Sequence, residues 1–420
     1  RQTKRRPRKR VGSSGWLAVK TWSSPVAFKL SLPEFLNFFK EQDKTGYLER
    51  LNILNKLYFQ LVYNTAEFRV KKTVHTKPNP FLSHNADIAN HRYRKETPIY
   101  PGLLYTEEVC FIEQLVKGQG VDIRVRPQIG LFQMEPFIDP EIERIRRDGF
   151  SAFQQARKFR YDSDVIRLNA IEKTDTKTYL TIQKALYSQQ AKSNLIMDYE
   201  IASSGPSLRS VLCDEYEGRL PPLHDERLAH TIGVTMLLFF MQDSFLVPFL
   251  IPRSREVAVL NEGEWSDSAS GAAEWPKDEF NTPQTFEEYI LDDMYMELKE
   301  ELGLNKTDVI NILPLAIARE FIRAGKPQIF FIGFTHLNYN QLVARMEVAR
   351  QKTMKDPNIP NEMYKMPAFR NPSVPRTAKE AAKNSEALGI DAQSAASLYY
   401  AHKFFEKAGD NLFNIFEGDS

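Results

Sequence analysis

Residues 232–241 are the longest apolar run in the chain, and a polar break at Gln242-Asp243-Ser244 separates them from a second run at 245–251. A spanning helix needs about 20 apolar residues, so the sequence predicts no membrane segment and no membrane partner. Two short apolar runs around a polar turn read instead as a β-hairpin. Pro248 has no N–H for a ladder, which makes the second strand an edge strand or an irregular one.

Beyond the hairpin lies Gly263-Glu264-Trp265-Ser266-Asp267-Ser268-Ala269-Ser270-Gly271, a small-residue loop around one aromatic anchor. Such a loop lets backbone approach a ligand or metal closely. Thr285-Phe286-Glu287-Glu288 then has the form of a capping box, with Thr285 as N-cap and Glu288 at N3, and predicts a helix over 286–302. Leu291, Met294, Leu298 and Leu302 share one face of that helix, while Asp293, Glu297, Glu300 and Glu301 fall largely away from it. Gly303 supplies the stop. Acids crowded at i, i+3 and i+4 repel one another, and a divalent cation relieves that repulsion. Mg²⁺ takes oxygen ligands and keeps several waters, so two or three carboxylates on one helix face can hold it while phosphate oxygens complete its shell, and a plain solvated face fits the same run of acids.

The order of hairpin, glycine loop, capped helix ending Met296-Glu297-Leu298-Lys299-Glu300-Glu301-Leu302-Gly303-Leu304, and then two further strands resembles the Nudix hydrolase family. The box of that family reads Gly, five residues, Glu, seven residues, then Arg-Glu-aliphatic-x-Glu-Glu-x-Gly-aliphatic. Glu288 stands eight positions before Met296, as the box requires, and Gly271 resembles its leading glycine displaced by an insertion of about eleven residues. Runs at 314–322 and 328–332 match the strands that follow. The resemblance covers residues 228–337, about a quarter of the chain. It implies an α/β/α sandwich with a mixed sheet, Mg²⁺ or Mn²⁺ as cofactor, Glu297, Glu300 and Glu301 as metal ligands, and Gly271 with its carbonyl beside the metal. Met296 departs from the family, which has there an arginine that orients a box glutamate.

The activity implied is hydrolysis of a nucleoside diphosphate linked to another group, with a nucleotide-type small molecule as substrate. The metal would polarise phosphoryl oxygens and lower the pKa of an attacking water. Glu288 and Glu320 are candidates for the general base, beside Glu300 and Glu301 in the box. Arg253 and Arg255 follow the second hairpin strand, and their planar forks suit substrate phosphates as well as a solvated turn. Trp265 and Phe280 either stack on a base or anchor the loop to the core. The alternative is a Nudix-fold module that binds a nucleotide or a protein without hydrolysis. Met296 and the length of chain upstream favour it.

The remaining sequence sets the frame. Residues 1–10 carry seven Lys or Arg and no acid, whereas the whole chain of 420 residues has a net charge of +2, so the body is mildly acidic. Residues 1–15 read as a basic, flexible tail suited to polyanions, nucleic acid among them, or to a nuclear address. Residues 16–222 read as an α+β accessory region, with a helical pair over 33–61 and strands at 165–168, 178–182 and 194–197. His75, His84 and His91 lie in or beside a turn-rich stretch whose spacing matches no metal signature. A domain entry is expected at Leu220-Pro221-Pro222-Leu223, opening a Nudix-like domain over 223–350. Residues 351–420 combine a Pro-rich connector with C-terminal helices, whose stripe of Leu398, Tyr399, His402, Phe405 and Leu412 is a packing face against the body or against a second subunit in a homo-oligomer. Two cysteines, Cys110 and Cys213, fit a reducing compartment and a cytoplasmic location.

Overall fold

The computed structural model describes residues 80–82, 88–100, 103–117, 120–156, 158–159, 161–201, 205–242, 245–252, 265–277, 285–353 and 391–417. The basic tail, the helical pair over 33–61, His75, His84, Arg253, Arg255, Phe280 and the Pro-rich connector lie outside these residues.

After a π-helical turn at Ile88–Arg92 come β1 (Tyr105–Cys110), α1 (Ile112–Val116), β2 (Ile123–Leu131), α2 (Pro140–Gln155), β3 (Asp164–Lys173), β4 (Thr178–Leu186), α3 (Tyr187–Ala191) and α4 (Leu208–Glu215). The second half holds β5 (Gly233–Gln242), β6 (Phe245–Pro248), β7 (Ile251–Pro252), β8 (Trp265–Ser266), β9 (Ala269–Ala272), α5 (Asp292–Leu302), β10 (Val309–Glu320), β11 (Lys326–Thr335), α6 (Tyr339–Thr353) and α7 (Ala392–Glu417). The architecture is mixed α/β. A six-stranded sheet runs β1-β10-β11-β5-β6, with β9 also pairing β5. Within it β11 and β5 are parallel and the other pairs antiparallel.

Parallel strands covered on both faces carry near-continuous apolar sequence, and that is what β5 and β11 show. Every residue of β11 is buried. The expected hairpin forms as β5 and β6, with Gln242 opposite Phe245 and Pro248 closing the edge strand. The outer edge of β5 is shared. β9 pairs residues 233–236, β6 pairs 239–242, and Ser268 fills the gap between them. Its N–H donates to Met236 O, and its hydroxyl accepts from Leu238 N–H and donates to Phe249 O.

Side-chain alternation assigns the faces. Phe239, Phe330 and Phe334 meet Phe405 and Tyr400 of α7, whereas Phe331 meets Phe286 and Phe240 meets Tyr339 at the start of α6. Helix α7 therefore covers one face of the sheet, and α5 with α6 covers the other. Leu398 and Phe405 of the C-terminal stripe are buried against the chain's own body. Among the described residues no helix is long and apolar enough to cross a membrane.

The N-terminal part adds a three-stranded sheet, β2-β4-β3, and a second apolar cluster around α2 and α4. It also supplies β1, which pairs with β10 in the main sheet, so strands from both sides of Leu220–Leu223 share one core. Buried Arg209 of α4 joins the two parts, donating to Asp198, to Tyr93 Oη and to the carbonyls of Phe321 and Ile322 in the β10–β11 turn. One expected strand is absent. Residues 194–197 form turns after α3, because Asn194 spends its side chain on Arg323 O and His230 N–H while Leu195, Ile196 and Met197 are buried locally. Alternation alone does not separate such a buried turn from a strand.

Phe405 lies edge-on to both Phe239 and Phe334. Phe405→Ala should lower unfolding free energy by about 3 kcal/mol in urea denaturation, with the slope unchanged.

Candidate functional site

The acidic helix is reached through the capping box that the sequence predicts. Thr285 N–H and Oγ1 both donate to Glu288 Oε2 at 3.0 Å, and Glu288 N–H returns a bond to Thr285 Oγ1 at 3.3 Å. The first turn, Glu287–Leu291, is π-helical, and regular α-helix begins at Asp292. Gly303 ends it in the left-handed conformation, with φ of 67°. Leu291, Met294, Leu298 and Leu302 are buried as expected.

Across from α5 lies β9. A methyl group on Gly271 would overlap Glu297 Oε1, so the glycine leaves the space that this carboxylate fills. Ser270 N–H donates to Glu301 Oε2 at 3.1 Å. The structure thus brings Gly271, Glu297 and Glu301 together, with Glu300 beside them on the more exposed flank.

Two further acids join this face. Asp293 precedes Glu297 by one helical turn and accepts from Glu274 N–H, two residues past the end of β9. Burial pushes the Asp293 carboxyl up to about 7; the Glu274 N–H opposes that, and the carboxylates of Glu274 and Glu300 add to it. Its Oδ2 is buried without a partner. Burial, and then Glu274, also raise Glu300, against Lys277 and Lys299. The sequence reading places Asp293 on the acidic side but gives it no role; its i, i+4, i+7 relation to Glu297 and Glu300 is the signal. Glu274 has no such signal, because β3 positions it through the bridge of Val165 to Glu274.

Other expected residues sit elsewhere. Glu288 is exposed at the helix start, with its carboxylate in the cap. Glu320 is buried on the α7 face, 2.6 Å from Arg323, and the sheet separates it from α5. Trp265 is fully buried, so it anchors its loop. Met296 is half exposed on the outside of α5, and His91 is exposed. Among the described residues, no three or more His, Cys, Asp or Glu side chains are grouped so that they could hold a metal ion. The donors that face β9 are all oxygens, the type of ligand a hard cation takes.

No protein-family model matches the chain, and a search of curated proteins finds no match either.

Two measurements probe this geometry. The folded Asp293 carboxyl binds its proton more tightly than the unfolded one, so the native chain loses stability as pH rises from about 4 to about 7. Asp293→Asn, unfolded in urea with chelator present, should gain on the order of 2 kcal/mol over the native chain at pH 8 and almost nothing at pH 4. Glu288→Gln keeps a capping-box partner, and should shift stability by less than about 0.5 kcal/mol and leave any turnover intact.

Proposed function

We propose that the chain is a metal-dependent hydrolase acting on the diphosphate of a nucleoside diphosphate linked to another group. The observation that carries this reading is the seating of Glu297 over Gly271 and of Glu301 on Ser270 N–H. A backbone that yields space to one carboxylate and fixes a second orients acids that would otherwise turn to solvent. Glu297, Glu300, Glu301 and the Gly271 carbonyl would hold Mg²⁺ or Mn²⁺, which supplies polarisation of phosphoryl oxygens and a more acidic water. Ser270 N–H fixes the position of Glu301 Oε2. Glu300, the more exposed of the box acids, would take a proton from water at its carboxylate. Asp293 and Glu274 set the charge density behind them.

A second reading, a module that binds a nucleotide without cleaving it, is favoured by Met296. No arginine stands there to orient a box glutamate.

A hydrolysis screen over dinucleotides, nucleotide sugars and nucleoside triphosphates with Mg²⁺ or Mn²⁺ tests the first reading. Turnover is expected in the native chain and lost in Glu300→Gln and Glu301→Gln. Gly271→Ala should fold normally, since only a flexible side chain must move, yet lose about 100-fold, the scale on which misplacement by about 1 Å is felt. Nucleotide binding with no turnover would favour the second reading, and metal-independent turnover would overturn the first without supporting the second.

A further inference from the structure

The opposite face of the sheet holds a second acidic arrangement, independent of the proposed hydrolysis. Asp267, between β8 and β9, and Asp391, immediately before α7, are both about 1% exposed. Asp391 caps the helix: its Oδ1 accepts from Ser394 N–H at 2.7 Å, and its own N–H donates to Trp265 O. That role seats its carboxylate at the positive end of a long helix. Asp267 is bound through one oxygen. Its Oδ2 accepts from Thr235 Oγ1 on β5, and from Ser397 Oγ at 2.9 Å and Gln393 Nε2 at 3.5 Å on α7. Its Oδ1 is buried with no partner, as are Ser394 Oγ and Tyr105 Oη nearby.

Two like charges cannot both be held in an interface closed to bulk solvent without compensation, and a proton is the smallest thing that compensates them. We propose that Asp267 and Asp391 form a proton-controlled latch that seats the first turns of α7 on the sheet. With Asp267 Oδ1 protonated, Oδ2 still accepts the bonds from α7, and the pair carries one negative charge fewer. When Asp267 ionises, the interface holds two carboxylates and α7 is held more loosely.

Other charged groups facing the pair do not cancel this. Tyr105 of β1 feels both aspartates, together with Glu320 and Arg323, and stays protonated. Glu320 and Arg323 neutralise each other at 2.6 Å. Lys326 of β11, which burial and then Arg323 hold down to about 7, is turned to Gln328 Oε1, to which it donates. His402 lies further along α7. Burial, and then Asp391, push Asp267 up to about 7, against an ordinary value of 3.8. Seating is therefore strongest at acid pH, weakens as pH rises from about 4 to about 7, and is level above that.

Amide hydrogen exchange of residues 394–398 in the whole chain between pH 4 and 7, corrected for intrinsic rates, reads the latch. Opening should rise with pH by up to about tenfold per unit. Asp267→Asn should abolish the rise and keep α7 protected throughout. Asp391→Asn, which retains a cap and removes the like charge, should end the rise at lower pH, and it carries the test if Asp267→Asn does not fold. His402→Gln should leave the slope unchanged. A flat native profile, a native slope that persists in Asp267→Asn, or one that vanishes in His402→Gln would overturn the proposal.

Discussion

Residues 328–334 of β11 run parallel to residues 233–239 of β5, and neither strand reaches water on either face. A parallel pair of this kind is stable only when both faces are covered. The rest of the molecule follows from that demand: α5 and α6 supply one cover, α7 the other, and β10 with β1 extends the sheet on one side. Apolar burial at about 25 cal/mol per Å² makes this the principal source of stability, and polar groups that enter the layers must be paired or positioned.

Two acidic arrangements have entered, one on each face, and they are handled differently. On the α5 face, Glu297, Glu300 and Glu301 stand at the margin of the helix, where backbone N–H and a glycine orient them. On the α7 face, Asp267 is surrounded by hydroxyl and amide donors and shut away from water. The first arrangement leaves its carboxylates at the surface of the sheet's cover. The second forces the charge itself to be negotiable.

Much of the first arrangement was legible in the chain. The hairpin, the capping box, the amphipathic stripe and the glycine stop are local patterns, decided by residues within a turn or two of each other, and each is found where the sequence puts it. The π-helical turn at 287–291 was not legible, since no residue there marks it. Glu274 and Asp293 meet only because β3 fixes one end of the β9 segment. Glu320 lies on the strand that follows the helix of acids, but strand membership leaves the face open, and its partner Arg323 lies on the far side of the sheet from α5. The run 194–197 misled for the same reason: apolar residues in a buried turn and in a strand read alike. Asp267 and Asp391 are far apart in sequence, and no period or motif connects them.

The strand that includes Ser270 and Gly271 begins just after Asp267, so one short stretch serves both layers. Ser268 makes this possible. It spends its side chain on the neighbouring backbone and so turns the chain between the face of Thr235 and the face of Glu297. The stretch is consequently fixed in length as well as at Ser268 and Gly271. Loss or gain of a single residue between 267 and 271 would put both on one face, so that either the aspartate meets the helix of glutamates or the glycine meets the C-terminal helix.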